Sequence, residues 1–270
     1  MENENINNGE IKPSSGFGRK WIKIGSICLV LIVSAGIFWT YRNNIASYIS
    51  RRVKKSEEAK KKKKFFNEKL AAAERGDPEA QFNVGKCYAE GIGVWKDPKE
   101  AVKWFQQSAE QGNTNGLYAL GKCYEYELGV PRDFAKAVEF YRKAVALGNA
   151  AAQNNLGLCY VRGHGVAQDY QKARELFLLA AAQGEPQAQC NLGVLYYRGL
   201  GVKKDYKEAV KWFRLSSNQD YALGQFNLAW CYEYGHGVEK NIKRAVDLYR
   251  KAAADEVCIA QDKLQRLDAD

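Results

Sequence analysis

Cys87, Cys123, Cys159 and Cys231 recur at multiples of 36 residues, each followed directly by a tyrosine. Regularly spaced thiols are raw material for metal sites, disulfide frameworks or redox centres. The stretch "GKCYAEGIGV", Gly85 to Val94, adds a lysine and three glycines, as a phosphate-cradling loop would. Leucine takes the same place at Leu195, however, and a position that accepts leucine is a packing position. Equivalent sites in stacked helical repeats lie about 10 Å apart, beyond the Cα separation of under about 7 Å that a disulfide tolerates. Cys190 and Cys258 form no C-x-x-C motif. Reduced, buried thiols follow, and with them a reducing compartment.

His164 and His236 both stand in "GHGV", where other copies carry Ile92, Leu128 and Leu200, so the ring is expected to pack over a turn. The two histidines are two periods apart, roughly 20 Å at the same spacing, too far to share one metal ion. The chain has no G-x-S-x-G, H-E-x-x-H or G-x-x-x-x-G-K-S/T motif. No catalytic, metal or cofactor site is expected, and the chain is read as a non-enzyme.

The ten-residue stretch must then be architecture. Near copies begin at Gly85, Gly121, Gly157, Gly193 and Ala229, always 36 residues apart, which is the signature of a repeat array. In the first copy Ala80, Val84, Tyr88 and Gly91 predict one amphipathic helix ended by glycine. Asp97, Asp133, Asp169, Asp205 and Asn241 then supply N-caps for a second helix. That helix repeats Ala101, Ala137, Ala173, Ala209 and Ala245, and an aromatic at Phe105, Tyr141, Phe177, Phe213 and Tyr249. A mid-helix glycine costs about 1 kcal/mol relative to alanine, so close approach of the paired helix is expected to offset it, with the aromatics filling space between repeats. The fold class is all-α: antiparallel helix pairs stacked as a right-handed superhelical α-solenoid.

These positions, from the recurrent alanine and Leu/Val-Gly through tyrosine, G-x-G-V, aspartate, the aromatic pair and Ala-Ala to the final glycine, are similar to the Sel1-like repeat, a relative of the tetratricopeptide repeat. The resemblance covers residues 77–256 as five units, with half units at 68–76 and 257–267. Departures are Glu127 for a loop glycine, Asp220 and Glu256 for the terminal glycine and Ala229 in the fifth first helix, and they predict looser stacking of the later units. Secreted Sel1-like proteins pair two cysteines within each repeat, and the second is missing here. The resemblance implies scaffolds and adaptors that hold protein partners, often at membranes. Some members are linked to hydrolysis of cell-wall-related substrates, but no nucleophile with a paired base stands out in this chain.

By analogy with tetratricopeptide arrays, the first helices line a concave groove. Stepping by 36 gives Asn83, Asn155, Asn191 and Asn227, with Ala119 in the second copy. On the same face follow Lys86, Lys122 and Trp230, then Tyr126, Arg162, Arg198 and Tyr234. The asparagines are candidates to bond an extended peptide backbone, the cations to meet acidic groups, and the aromatics to anchor a side chain or helix. The competing reading is that the asparagines bond within the repeat and the charges are solvated.

The net charge of +10 is local. Residues 1–76 carry 16 Lys and Arg against 7 Asp and Glu, whereas residues 77–270 carry 25 against 24, which argues against a nucleic-acid-binding array. Residues 24–41, "IGSICLVLIVSAGIFWTY", hold no charge and as a helix reach roughly 27 Å, enough for one transmembrane span. A cleaved secretory signal is the alternative, though no A-x-A-like site follows. Residues 1–23 are expected to be a disordered tail, 42–76 a basic helical connector ending in a half repeat, and 257–270 a capping helix. In the connector, Arg51, Arg52, Lys54, Lys55, Lys60, Lys61, Lys62, Lys63 and Lys64 are candidates for contact with anionic lipid, with a solvated spacer as the alternative. The positive-inside rule places the repeats on the cytoplasmic face, while the basic residues crowding the start of the span favour the opposite face. The expected function is a membrane-anchored adaptor; a purely structural tether near lipid, and then a cell-wall-related hydrolase, are the alternatives.

Overall fold

The computed structural model describes residues 47, 48, 50–255 and 257–267. The expected tail and the apolar stretch 24–41 lie outside these residues. Among the described residues no helix is long and apolar enough to cross a membrane, and there is no strand. The chain divides into two compact units at Lys61 and Lys62. In the first, residues 50–61 are helical and exposed, Arg51, Arg52, Lys54, Lys55, Lys60 and Lys61 among them.

The second unit opens with helix α1, residues 62–73, and continues as helix pairs. The pairs are α2 (Pro78–Glu90) with α3 (Pro98–Glu110), α4 (Thr114–Tyr126) with α5 (Phe134–Ala146), and α6 (Ala150–Arg162) with α7 (Tyr170–Ala182). Then come α8 (Pro186–Arg198) with α9 (Tyr206–Ser217), α10 (Ala222–Tyr234) with α11 (Ile242–Ala254), and a single α12 (Cys258–Leu267). The caps follow the local chemistry. Asp97, Asp133, Asp169, Asp205 and Asn241 each accept a backbone N–H in the first turn of the second helix. First helices end on a left-handed residue, Gly91, Gly163, Gly199 and Gly235, and Glu127 holds that conformation at φ 59° without being glycine.

Packing explains the mid-helix glycines. A Cβ on Gly85 would stand 2.6 Å from the Phe105 ring, and on Gly121, Gly157 and Gly193 it would meet Tyr141, Phe177 and Phe213 as closely. The aromatics therefore fill space within their own repeat as well as the expected space between repeats. Phe105 also packs on Ala119, Leu120 and Cys123 of α4, so each ring closes both seams. Cys87, Cys123, Cys159, Cys190 and Cys231 are free and buried in this core. Burial pushes the thiols of Cys123 and Cys190 up to about 11 and those of Cys159 and Cys231 up to about 12, which keeps them protonated and inert at neutral pH.

The looser stacking expected of the later units is not found. Asp220 keeps the left-handed turn at φ 55°, and the fourth and fifth pairs share one core with Phe213, Tyr249 and Ala260 at 2%, 0% and 0% exposure. Ala260 belongs to α12, which lies over the open end of the last pair with Val257, Leu264 and Leu267.

Candidate protein-binding groove

First helices of neighbouring repeats touch one another at α2–α4 and α8–α10, while among the described residues no two second helices make a comparable contact. The stack therefore closes on the side of the first helices. Two pockets open there. One, about 480 Å³, lies between α2 and α4 and is walled by Phe82, Lys86, Lys96, Tyr118, Lys122 and Leu128. The other, about 260 Å³, lies between α8 and α10 and is walled by Val194, Tyr197, Arg198, Phe226, Asn227 and Trp230.

The structure thus brings five of the expected site residues to pocket walls: Lys86 and Lys122 in one, Arg198, Asn227 and Trp230 in the other. Lys86, Lys122 and Arg198 have no carboxylate within ion-pair distance among the described residues; Lys122 Nζ lies 5.8 Å from the Tyr118 ring. Tyr126 and Tyr234 are exposed on the same helices, each by 46%. Arg162 lies 3.8 Å from Glu125 and so is partly occupied.

The asparagines depart from the expectation of a free ladder. Asn83 Nδ2 donates to the Glu79 carbonyl in its own helix at 2.8 Å. Asn155 is buried and donates to Tyr141 Oη at 3.2 Å, and Asn191 donates to Asn154 Oδ1 at 2.8 Å. Asn227 Nδ2 lies 3.3 Å from Cys190 Sγ. From Asn155 onward each amide reaches back to the preceding repeat, Asn155 to its second helix and Asn191 and Asn227 to its first. The ladder fastens repeats together.

Sequence reasoning missed the buried acids. Glu125 is 4% exposed and accepts from Tyr141 Oη at 2.6 Å; Glu233, 9% exposed, accepts from Tyr249 Oη at 2.6 Å. The signal was present: tyrosine replaces phenylalanine at the aromatic position only in the two repeats with glutamate sixteen residues earlier, whereas Phe105, Phe177 and Phe213 face Ala89, Val161 and Tyr197. Lys263 of α12 completes the second pair, 2.9 Å from Glu233 Oε1, 2.9 Å from Tyr234 Oη and 4.4 Å above the Trp230 ring. Burial raises the Glu233 carboxyl, but the hydrogen bonds from Tyr249, Lys263 and Tyr234 together outweigh it and hold the group below the usual carboxylate range.

The histidines behave as turn packing. His164 stacks on Phe134 with ring centres 4.3 Å apart, and His236 stacks on Tyr206 at 4.7 Å. Tyr197 Oη accepts from Trp230 Nε1 at 2.9 Å and lies 2.8 Å from His236 Nδ1, which fixes the floor of the smaller pocket. Among the described residues no group of three or more His, Cys, Asp or Glu side chains is placed to hold a metal ion.

Helix pairs of fixed period, touching along one side through their first helices, define an α-solenoid repeat protein. The chain matches the Sel1 repeat model in five consecutive copies, residues 78–113, 114–149, 150–185, 186–221 and 222–256, and belongs to that family. Its structure is similar to that of a Sel1 repeat protein from Oxalobacter formigenes, with 30% identity and a TM-score of 0.70 over 77% of this chain and 83% of that one. It is also similar to a putative Sel1 repeat protein of Klebsiella pneumoniae, with 22% identity and a TM-score of 0.53 over 75% and 99% of the two chains. An immunity protein of Pseudomonas aeruginosa shares the fold at 24% identity and a TM-score of 0.51, over 76% and 74%. No curated protein matches significantly.

Proposed function

We propose that this chain is a membrane-anchored adaptor that takes up a segment of a partner protein along its first-helix groove. The observation that carries the reading is the α8–α10 pocket, where a wall of Tyr197, Phe226 and Trp230 meets Arg198, a cation with no ion-pair partner among the described residues. An aromatic wall supplies apolar area at low entropic cost, and an unpaired guanidinium at its rim selects for an acidic or carboxylate-bearing neighbour. Lys86 and Lys122 repeat the arrangement at the other end of the groove. From Asn155 onward the asparagines contribute by holding the repeats in register.

Anchoring rests on the uncharged stretch 24–41 and on the basic connector, and the cytoplasmic placement of the repeats rests on the positive-inside count. A tether near anionic lipid is the second reading, favoured by the exposure of Lys60 to Lys64. Photocrosslinking from a benzophenone side chain at Val194 or Lys122, against controls at Glu139 and Lys103 on second helices, tests the groove in the full chain in its own membranes. Discrete adducts from the first pair alone are expected, weakened by Arg198→Glu. Adducts that are equally strong from both pairs would remove the groove reading. A reporter fused after Asp270 and active on one side of the membrane reads the topology.

A further inference from the structure

Trp95 is 92% exposed, more than any other large apolar side chain among the described residues. The corresponding positions in the other repeats are Pro131, Ala167, Lys203 and Glu239, so the solenoid itself does not ask for an aromatic there. Nor is the side chain loose because its loop is loose. Ile92 N–H donates to the Cys87 carbonyl at 2.9 Å, Asp97 N–H donates to the Tyr88 carbonyl at 2.9 Å, and Ile92 and Val94 are packed in the first core cluster. Gly93 lies so close to α1 that a Cβ would stand 2.3 Å from the Lys62 carbonyl oxygen and 2.9 Å from Lys63 Cα. The loop is therefore clamped on the lysine-rich start of α1 and holds an indole out into solvent two residues from the contact.

Lysines flank this loop: Lys96 follows the indole in the chain, and Lys63 and Lys64 stand at and beside the Gly93 contact. Lys63, Lys64 and Lys96 are exposed, and Phe65 is 39% exposed on the same helix start. The acidic groups nearby are committed locally: Asp97 caps α3 by accepting from Lys99 N and Glu100 N, and Glu68 lies 3.8 Å from Lys64. Amphipathic aromatic rings beside a run of lysines are the composition that suits the headgroup layer of an anionic bilayer, where the indole sits between polar and apolar zones and each lysine adds its own attraction.

We infer that Trp95, with Lys63, Lys64 and Lys96, forms a lipid-contact edge through which the first repeat rests on the surface of an anionic membrane. The inference shares with the preceding proposal the attraction of the connector to lipid and one residue, Lys96, which also borders the α2–α4 pocket; Trp95, Lys63 and Lys64 line neither groove pocket. The occupant is the bilayer itself, because a flat, negatively charged surface with an interfacial apolar layer complements a protruding ring flanked by exposed cations.

The test uses the full chain in vesicles formed by detergent removal, with Trp21 and Trp39 replaced by phenylalanine so that Trp95 is the exposed indole in the measurement. Vesicles are made of phosphatidylcholine carrying brominated acyl chains, with or without a third of phosphatidylglycerol, and the Trp95 signal is the difference from the same chain carrying Trp95→Phe. Quenching of that signal on phosphatidylglycerol vesicles, with little on phosphatidylcholine alone and reversal in high salt, is expected. Lys63→Gln and Lys64→Gln should each weaken the quenched state by roughly fivefold. Trp95→Phe removes no packing, so altered folding does not confuse the result. Equal quenching on both lipids, or none on either, overturns the inference. If the chain associates with the anionic vesicles while Trp95 stays unquenched, the connector's attraction survives and this edge does not. Groove crosslinking is read separately and is unaffected by either result.

Discussion

At the scale of single residues, the internal repeats act as their own controls. Tyr141 is wholly buried, and burial pushes its phenol far up, so it remains a proton donor to Glu125 across the accessible pH range. Replacing it with phenylalanine leaves a buried carboxylate without that donor, and Tyr141→Phe should destabilise the protein by about 1–3 kcal/mol. The third repeat shows the apolar solution, Phe177 with Val161. Tyr141→Phe combined with Glu125→Val should therefore recover part of the loss, the remainder being the buried Asn155 amide that loses its Tyr141 acceptor. Urea unfolding of the four proteins gives the coupling; strictly additive losses would show that the pair does not act as a unit. The same comparison explains Glu127, the one first-helix cap that is not glycine. A left-handed non-glycine residue costs about 1–2 kcal/mol, partly offset by the lower flexibility of the unfolded chain, so Glu127→Gly should raise the unfolding midpoint modestly.

At the scale of elements, α12 is the informative helix. It stands in register with a sixth first helix, but Gln265 occupies the place of the mid-helix glycine and no second helix follows among the described residues. The helix therefore lacks the small residue that admits an aromatic in the first four pairs. Its hold on the array is polar as well as apolar, through Lys263 on Glu233 and Tyr234. Desolvation lowers the Lys263 ammonium, but the hydrogen bonds to Tyr234 and Glu233 outweigh it and raise the group above its ordinary value, whereas Glu233 is held below its own. A lowered carboxyl contributes stability that is present above its unfolded value of 4.5 and lost as pH falls through the folded value. A raised ammonium contributes stability that is present below 10.5 and lost as pH rises through its folded value. Hydrogen exchange should thus show α12 protected near neutrality and opening as pH falls below 4.5 and again as it rises above 10.5. Lys263→Met should remove the ion-pair part of this dependence at both ends, and an unchanged profile would assign the docking to Ala260 and its apolar neighbours alone.

At the scale of the molecule, the loop glycines separate what holds one repeat from what joins two. Gly165 in the third repeat has φ 70°, and a Cβ there would stand 2.2 Å from the Phe134 carbonyl oxygen in the second. Gly184 has φ 88° and nothing within 4 Å of such a Cβ. Both alanine variants incur the left-handed penalty of about 1–2 kcal/mol, but only Gly165→Ala drives neighbouring repeats apart. Stability in such arrays is a sum of repeat terms and nearest-neighbour terms. Gly165→Ala should therefore broaden or split the urea transition, and Gly184→Ala should shift it as a single step. Two superimposable curves would mean that the contact between the second and third repeats carries little of the cooperativity.

Period, helix boundaries, caps and the inert setting of the thiols could all be read from the chain, because each depends on residues within one 36-residue unit and on local rules of propensity, capping and amphipathicity. Lys86, Lys122, Arg198 and Trp230 line pockets between first helices, on the faces that their helical spacing predicts. Tertiary structure decided the rest. From Asn155 onward the asparagines were turned inward because stacking brings polar atoms of the preceding repeat within reach, a distance that no single helix encodes. It also decided which aromatics are buried and which stand free: Tyr141 is enclosed by its own glycine and a neighbour's core, while Trp95 is held outside by a loop clamped on α1. Local sequence sets what a residue prefers to do; only the packing of one repeat on the next determines what it meets.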